Sequence, residues 1–584
     1  MITWLSFLIT VLIVGQPNFN NLLATESTLK NFKIESKSVS EVRVQKITLK
    51  DAKRIDQDKI DDLKVLGLVW GYLKYYHPNV AKGNFDWDSE LINIIPAILE
   101  TNTIEQRDDI LLKWIYNLGN LNLNLKNCNK IKHIKFRPDL RWIKTANISK
   151  ALQNKLIQLK DVSRIDSNAY VSLKDNIKNP IFNNEEPYSL PEYPELNYRL
   201  LSLFRYWNII QYYFPYKNLI KENWVSVLQE FIPIFMDTKD KTDYTLAVLK
   251  LIGHVHDTHA NIWGFNLSLE LFKGLKSSPA RLRFIEGKAV VIGYYNDSLS
   301  KSTELLIGDV ITKINGKPVD SIIINQLSIT PASNFNTQLR DISINLLRTN
   351  DSKIEIEFSR KGDTIKTQEE TFVIGLLDMY NQNDHHECFR LINESIAYLY
   401  LGTIKNEYLD SLWNVIKDTR GLIIDLRCYP SDFVVFSLGN YLMPNIKKFV
   451  KFTNGSVTCP GLFTFTSPLT VGKKNNSYYK GKVILLVDES TQSNAEYTAM
   501  ALSVAPKVTI IGSTTAGADG NVSRIYLPGG IFTMISGIGV YYPNGKETQR
   551  VGIIPDIFIT PTLKAIKQGE DELIEKAISL INKN

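Results

Sequence analysis

The sequence predicts a multidomain α+β protein, and three features of the 584-residue chain support this prediction. The length exceeds what one compact core holds and suits about three or four domains. A helical pattern occurs twice in the N-terminal half, short β-branched runs follow residue 270, and strands alternate with helices from Ser395 onward. Hydrophobic residues (44%) and charged residues (22%) are near globular averages, which excludes a mainly disordered or fibrous protein.

Charge and cysteine content narrow the function classes. The formal net charge is only +7 and no dense Lys/Arg block occurs, so we do not expect a nucleic-acid partner. Four cysteines are too few and too scattered for a disulfide scaffold or a CxxC zinc site, although their spacing leaves one disulfide open. They are Cys128, Cys388, Cys428 and Cys459.

Residues 1–24 are predicted to be a signal peptide. An apolar run from Met1 to Val14 is closed by Gly15-Gln16-Pro17 and is shorter than the roughly 20 residues of a membrane span. No Lys or Arg precedes this run, which departs from the usual pattern and leaves a buried N-terminal strand or helix as the alternative. We expect an exported protein, periplasmic or extracellular, without stable membrane insertion. The sequence does not determine its oligomeric state.

An internal repeat organises the N-terminal half. Segments 63–119 and 200–256 match without a gap at a constant offset of 137 residues, the separation of Trp70 and Trp207. Apolar residues recur at three- and four-residue steps, which predicts helices that end at Tyr-Tyr-X-Pro. We therefore predict related helical units at 55–150 and 199–270, joined by a proline- and asparagine-rich connector at 151–198. The matched residues, interpreted as core packing, are Trp70, Tyr75, Tyr76, Pro78, Trp87 and Pro96, against Trp207, Tyr212, Tyr213, Pro215, Trp224 and Pro233.

Residues 275–375 form a candidate peptide-binding module. Gly308-Asp309-Val310-Ile311 leads into a strand, and Asn315-Gly316 is typical of a tight hairpin turn. This segment resembles the core of a PDZ domain, and the resemblance implies a module that takes an extended peptide as an added sheet strand, often at a free C-terminus. A structural β-domain without ligand is the alternative.

Residues 390–565 show the βα alternation of a largely parallel sheet, followed by a C-terminal helix at 566–584. The predicted elements are strands Ile396–Leu401, Leu422–Leu426, Val483–Val487 and Val508–Ile511, with helices Leu409–Lys417 and Asn494–Val504. Ser493 lies at a predicted helix start, where outward N–H groups favour an oxyanion and so suit a serine nucleophile. A helix cap is the alternative, because Glu496 would complete a capping box.

The segment Asp488–Leu502 resembles the nucleophile region of the tail-specific (C-terminal processing) serine peptidases, in which Ser-X-X-Glu begins the helix after a buried strand. Gly421–Arg427, the turn Gly512–Gly520 and Val551–Ile557 also follow the family pattern in order. The resemblance covers about residues 195–560.

The family resemblance implies a crotonase/ClpP-like α/β catalytic core with an inserted PDZ-like β module and N-terminal helical units. It also implies a serine-type endopeptidase that hydrolyses peptide bonds in proteins or peptides, with cleavage near C-termini as one option, and that needs no cofactor. The alternative function is a PDZ-containing peptide-binding protein with an inactive peptidase core.

The resemblance also suggests which group deprotonates Ser493. The lysine of the bacterial processing enzymes is absent, since the matching stretch is Ala516-Gly517-Ala518-Asp519. Asp257-Thr258-His259-Ala260 instead resembles the histidine segment of the tricorn-like, retinoid-binding-protein-like branch, which implies that His259 is the general base. Glu547 is near the position of that branch's glutamate, with Gln549 competing for the position and Asp257 as a substitute.

The oxyanion hole implied by the resemblance consists of two main-chain N–H groups. One belongs to Asn494, directly after the nucleophile. The other comes from the turn after Asp425-Leu426-Arg427, where Pro430 has no N–H and Ser431 is the candidate.

The same histidine segment also offers a candidate metal site. His254-X-His256-X-X-His259 holds three of the chain's seven histidines and could supply three zinc ligands. It lacks the HExxH helix with its glutamate base, so the sequence favours no metal.

Overall fold

The structure is a computed structural model that describes residues 56–119, 128, 131–162, 167–377, 379 and 386–583. The predicted signal peptide lies outside these residues. Across the described ranges, no helix combines the length and apolar character needed to cross a membrane.

The two helical units share an arrangement of three main helices, to which the first unit adds one short helix. The first contains α1 (Gln57–Tyr76), α2 (Pro78–Ala81), α3 (Trp87–Leu99) and α4 (Ile104–Asn117). The second contains α7 (Leu196–Tyr213), α8 (Trp224–Met236) and α9 (Lys241–Gly253). Between them lie β1 (Ile134–Phe136), α5 (Trp142–Thr145), α6 (Lys150–Lys160), β2 (Val171–Leu173) and β3 (Pro180–Phe182).

Buried tryptophans fix the same helix pair in each unit. Trp70 and Trp87 exchange indole N–H to carbonyl hydrogen bonds of 2.9 and 3.1 Å. Trp207 and Trp224 repeat the exchange at 2.7 and 3.1 Å. The matched aromatics are therefore core residues.

The units pack against each other through α1 and α7. Asn208 donates to the Gly67 carbonyl at 3.0 Å, and a Cβ on Gly71 would lie 1.9 Å from Cγ of Asn208. Only glycine allows the two helices to approach this closely.

A β-rich module follows the second helical unit. Its strands and helices are β4 (Ile262–Trp263), α10 (Leu267–Lys273), β5 (Lys276–Ser277), β6 (Ala280–Ile285), β7 (Lys288–Tyr294), β8 (Val310–Ile314), β9 (Lys317–Pro318), α11 (Val319–Leu327), α12 (Phe335–Asn345), β10 (Arg348–Thr349), β11 (Lys353–Arg360), β12 (Asp363–Glu370) and β13 (Phe372–Val373). The main sheet has the order β12-β11-β8-β7-β6, with β9 on β8, and every pairing is antiparallel. A separate apolar core that includes Leu282, Val291 and Ile356 stabilises it.

The C-terminal region is built on a second, mainly parallel sheet. Its elements are β14 (Phe389–Asn393), β15 (Ile396–Tyr400), α13 (Leu409–Ile416), β16 (Gly421–Asp425), α14 (Val435–Leu442), β17 (Lys447–Asn454), β18 (Phe463–Phe465), β19 (Leu469–Val471), β20 (Lys482–Val487), α15 (Asn494–Leu502), β21 (Val508–Gly512), β22 (Val522–Leu527), β23 (Ile531–Ser536), β24 (Gly539–Tyr541), β25 (Ile557–Phe558), α16 (Leu563–Gln568) and α17 (Glu572–Asn582). The sheet order is β14-β15-β16-β20-β21-β25, and only β14 is antiparallel. The whole structure thus mixes helical, antiparallel and parallel regions, in agreement with the predicted α+β class.

The parallel register brings the turns that follow the strands to one edge. Asp425 pairs with Leu486, and Leu486 pairs with Ile511. Because carboxyl ends of parallel strands meet at the same edge, the turns after β16, β20 and β21 are neighbours.

Several connections tie the N-terminal half to this sheet region, among them a strand pairing beside the histidine segment and a disulfide. Strand β4, just after the histidine segment, pairs with β23. A disulfide joins Cys128 to Cys459, which resolves the question that cysteine spacing left open.

Candidate active site

Ser493 occupies a strained turn between β20 and α15. Its backbone has φ of +54° and ψ of −114°, a region that residues other than glycine rarely adopt. The Ser493 N–H donates to the Ala518 carbonyl at 3.0 Å and also lies 3.2 Å from a carboxylate oxygen of Glu496. A serine on a tight strand-to-helix turn projects its hydroxyl outward, as a nucleophile requires.

The buried Glu496 carboxylate holds this turn against the turn that follows β21. It accepts hydrogen bonds from the Thr515 hydroxyl and from the N–H groups of Gly517 (2.8 Å) and Ala518 (3.0 Å), in addition to that of Ser493. Burial raises the pKa of Glu496, and these hydrogen bonds oppose that shift. The capping interpretation and the nucleophile interpretation are therefore compatible, because Glu496 caps the helix and also positions Ser493.

A second buried carboxyl, Asp519, adjoins Glu496. One of its oxygens accepts from the Gly520 N–H at 2.6 Å. Burial, followed by the charge of Glu496, holds the pKa of Asp519 well above its usual range.

The His259 imidazole is held by a hydrogen-bond chain that runs through Ser536 to Asp257. Nδ1 of His259 lies 2.9 Å from Oγ of Ser536, and this Oγ donates to Oδ1 of Asp257 at 3.0 Å. Since the single hydroxyl proton of Ser536 points to the carboxylate, Nδ1 must carry a proton and donate it to Ser536. His259 is then the tautomer whose Nε2 has a free lone pair.

Asp257 is fully buried and surrounded by donors. Besides Ser536 Oγ, it accepts from the N–H groups of His259 (3.1 Å) and Ser536 (2.6 Å). Nδ1 of His259 lies 3.8 Å from the Asp257 carboxylate. Burial lowers the pKa of His259, and the charge of Asp257 opposes that shift.

The turn after β21 forms hydrogen bonds with the segment that contains His259 and with Ser493, at positions two residues apart. Thr258 donates to the Ala516 carbonyl at 3.3 Å, whereas Ser493 donates to Ala518, two residues further on. No described residue forms a hydrogen bond with Nε2 of His259, and Ser493 is not joined to it directly. Catalytic hydrogen bonds often tighten only when substrate binds.

Glu547 and Gln549 occupy different surroundings. The Glu547 carboxylate pairs with Lys135 at 2.6 Å and makes no contact with His259. The amide of Gln549 instead donates to Asp257 at 3.2 Å. Glu547 is thus paired with Lys135, and the carboxylate nearest to His259 is that of Asp257.

The two candidate oxyanion donors differ in whether their N–H groups are already hydrogen-bonded. The Asn494 N–H, at the first position of α15, has no acceptor among the described residues. The Ser431 N–H donates to the Leu401 carbonyl at 3.0 Å, and its hydroxyl donates to the carbonyl of Ile404 at 2.5 Å. Ser431 is therefore engaged elsewhere, because the turn carrying it packs against the end of β15.

Tyr429 belongs to the same turn. Burial raises the pKa of its phenol, and the nearby side chain of Ser493 opposes that shift.

The other two histidines of the segment contact residues outside the His259 hydrogen-bond chain. His254 packs edge-on against Phe231 with ring centroids 5.2 Å apart, and Nε2 of His256 lies 3.3 Å from the Glu222 carboxylate. Within the described ranges, no group of three His, Cys, Asp or Glu side chains could hold a metal ion.

Residues 395–559 match the family model described as Peptidase family S41. This segment contains all five parallel strands of the sheet and Ser493. Residues 395–559 therefore form an S41 peptidase domain. The protein is thus a serine-type peptidase, and its substrates are peptides or proteins.

Solved structures resemble this S41 peptidase in fold. Mature CPAF is 13% identical, with a TM-score of 0.52, over 66% of this chain and 96% of that chain. Mature CPAF complexed with lactacystin is 14% identical, with a TM-score of 0.51, over 66% of this chain and 97% of that chain. No curated protein matches the chain.

The sequence reasoning missed Ser536 and Tyr429 in the S41 peptidase. Ser536 ends a strand, where an alternating pattern predicts only burial, and Tyr429 lies in a turn in which attention goes to main-chain donors. For Tyr429 a signal existed, since Pro430, which has no N–H, already indicated that this turn offers fewer main-chain donors.

Proposed function

We propose that this S41 peptidase is an exported endopeptidase in which Ser493 is the nucleophile and His259 is the general base. The observation that carries the proposal is the hydrogen-bond chain from His259 through Ser536 to Asp257. It leaves the Nε2 lone pair available, while the opposite ring nitrogen is held by the Ser536 hydroxyl, which in turn is held by the buried Asp257 carboxylate.

The proposed reaction begins with attack of Ser493 Oγ on the carbonyl carbon of a peptide bond. The Ser493 proton moves to Nε2 of His259, and the new imidazolium is stabilised by Asp257 through Ser536. When the C–N bond breaks, His259 returns this proton to the leaving amine. Water then hydrolyses the acyl-enzyme with His259 again acting as base.

Histidine variants test the assignment of the base. His259→Ala should lose nearly as much turnover as Ser493→Ala, on the order of 10⁴- to 10⁶-fold, and the double variant should be little worse because the pair acts as a unit. His254→Ala and His256→Ala are matched controls from the same segment and should be much milder. Full activity in His259→Ala would refute the assignment, whereas severe losses in all three with chelator sensitivity would favour a metal.

A covalent probe separates the peptidase from an inactive peptide-binding protein. A serine-directed phosphonate should label wild type at Ser493 and fail to label Ser493→Ala. Absence of labelling and turnover in wild type, with intact peptide binding, would favour the binding protein.

We also propose that residues 275–375 bind substrates as a PDZ-like module. Among the described strands β6 ends its sheet, and α12 packs beside it, an arrangement that accepts an extended peptide as an added strand. Arg283 of β6 bonds Asp488 at 2.9 Å and Glu489 at 2.7 Å, only a few residues before Ser493. A peptide in this groove would therefore lie close to the nucleophile turn.

Recognition of C-termini is tested with Ser493→Ala protein. A peptide with a free C-terminal carboxylate should bind at least about tenfold more tightly than its amidated form, which is roughly the 1.4 kcal/mol of one good charge-assisted hydrogen bond. Equal affinities would leave the module without C-terminal specificity.

Export is supported by the Cys128–Cys459 disulfide, because disulfides persist mainly in oxidising compartments. Cell fractionation followed by thiol titration should recover the chain outside the cytoplasm with this pair oxidised. A cytoplasmic, fully reduced chain would contradict export.

A further inference from the structure

The net positive charge of the chain is concentrated in one stretch of the catalytic region. Residues 433–487 contain seven lysines and no arginine, aspartate or glutamate. Of the 68 Lys and Arg residues in the chain, 61 lie elsewhere, and the chain has 61 Asp and Glu residues. This stretch therefore accounts for the whole formal net charge of +7. The seven are Lys447, Lys448, Lys451, Lys473, Lys474, Lys480 and Lys482.

Two of these lysines begin strand β17. Lys447 and Lys448 are its first two residues, and both are exposed. In the antiparallel pair that β17 forms with β19, Lys447 lies opposite Val471. The start of β17 is therefore beside the end of β19.

The loop after β19 brings two further exposed lysines to the same place. Lys473 and Lys474 lie in this loop. The N–H of the next residue, Asn475, donates to the Pro444 carbonyl at 3.0 Å, and Pro444 is three residues before Lys447. The loop thus runs back beside the segment that leads into β17. We call the four residues Lys447, Lys448, Lys473 and Lys474 the basic patch.

The charge of the basic patch is not neutralised by neighbouring carboxylates. In the part of the chain that the structure describes, none of the four lysines takes part in an ion pair. Asp410 of α13 reaches the end of α14, where it accepts a hydrogen bond from the Tyr441 hydroxyl rather than from a lysine. The basic patch therefore presents four positive charges to its surroundings.

Two exposed apolar side chains lie among these charges. Ile446 directly precedes Lys447 and is 61% exposed. Leu469 lies opposite Val450 of β17 and is 43% exposed. Lysines around apolar tips suit the surface of an anionic bilayer, because the phosphates attract the ammonium groups and the tips enter the boundary with the acyl chains.

The residue type favours a lipid surface over an acidic protein or a nucleic acid. Specific carboxylate and phosphate sites commonly use arginine, whose planar guanidinium binds two oxygens at once, and residues 433–487 contain none. A lysine ammonium group is a point charge on a flexible stem. It can therefore follow headgroups that have no fixed arrangement.

We propose that the basic patch binds the surface of an anionic lipid bilayer and holds the peptidase there peripherally. Ile446 and Leu469 insert at the boundary between headgroups and acyl chains, and no part of the fold needs to cross the bilayer. This inference goes beyond the proposed function, because it does not depend on how Ser493 is activated.

Vesicle co-sedimentation of the full chain tests the proposal. Wild type should bind vesicles of equal parts phosphatidylglycerol and phosphatidylcholine, and its affinity should fall as the salt concentration rises. Vesicles of phosphatidylcholine alone measure any contribution of the apolar residues 1–14. Replacing all four patch lysines by glutamine should lower the affinity for anionic vesicles by about 10²- to 10³-fold, since each lysine near an anionic surface contributes about fivefold.

The matched control changes the net charge by the same amount at other places. It replaces by glutamine four lysines that already form ion pairs, namely Lys241, Lys313, Lys353 and Lys366. This control variant should bind anionic vesicles as wild type does. Both variants should keep the wild-type melting temperature, so that a loss of binding is not a loss of folding. Peptide turnover in solution should also be unchanged in both, which separates failure of this inference from failure of the proposed function.

The remaining outcomes would overturn the proposal. Equal affinity of wild type for anionic and neutral vesicles would refute it, as would equal affinity of the patch variant and the control variant for anionic vesicles. Binding of polyglutamate in place of vesicles would assign the basic patch to an acidic protein. Binding of duplex DNA in place of vesicles would assign it to a nucleic acid.

Discussion

Replacing Ser536 by alanine tests the hydrogen-bond chain from His259 through Ser536 to Asp257, which sets the tautomer of His259. The substitution removes the acceptor 2.9 Å from Nδ1, and the nearest carboxylate oxygen is then 3.8 Å away, beyond a good hydrogen bond. A hydrogen bond to a charged imidazolium contributes about 1.5–3 kcal/mol. We therefore expect kcat to fall by about 10- to 150-fold, at 1.4 kcal/mol for each factor of ten.

The pH dependence of kcat gives the variant a signature that a packing defect lacks. Without Ser536 the imidazolium is less stabilised, so the pKa of His259 should fall further. Because the neutral ring is the active base, the rise of kcat with pH should move to lower pH while its plateau decreases.

Ser523→Ala is the matched control, because Ser523 is a buried serine on the partner strand β22 whose hydroxyl donates to the Pro180 carbonyl. Peptide turnover by both variants should be measured from about pH 5 to 9. The reasoning is refuted if Ser536→Ala has the same kcat and the same pH profile as Ser523→Ala.

Two further predictions concern stability. Ser493 has a φ of +54°, which glycine adopts without strain. In urea titrations, the free energy of unfolding of Ser493→Gly should therefore exceed that of Ser493→Ala by about 1–2 kcal/mol. Equal values would contradict backbone strain at this residue. His77 is fully buried, neither ring nitrogen has a hydrogen-bond partner among the described residues, and burial with the charge of Lys155 lowers its pKa to about 4. Since the unfolded chain takes up this proton from about pH 6.5 downward, the free energy of unfolding should fall by about 3 kcal/mol as the pH falls to about 4. His77→Phe should lack this loss, and a wild type with a flat profile over that range would contradict the buried neutral ring.

Features that depend on local sequence were predictable. The catalytic-region strands appear within one residue of their predicted ends, for example Lys482–Val487 for a prediction of Val483–Val487. The hydrophobic period, the positions of proline and glycine, and the capping residues each act over only a few neighbouring residues. The local sequence therefore contains all the information that these signals need. The same holds for Ser493 at a helix start and for the helical repeat.

The partners of His259 depended on the tertiary structure. Asp257 and Ser536 are separated by 279 residues and meet only because β4 pairs with β23. Lys135 captures Glu547 across 412 residues, and the disulfide closes a separation of 331. No periodic pattern encodes such pairings, because they follow from which strand edges and turns the packed sheets bring together. The sequence alone therefore identified the nucleophile and the base as candidates, whereas the packing determined which carboxylate and which hydroxyls surround them.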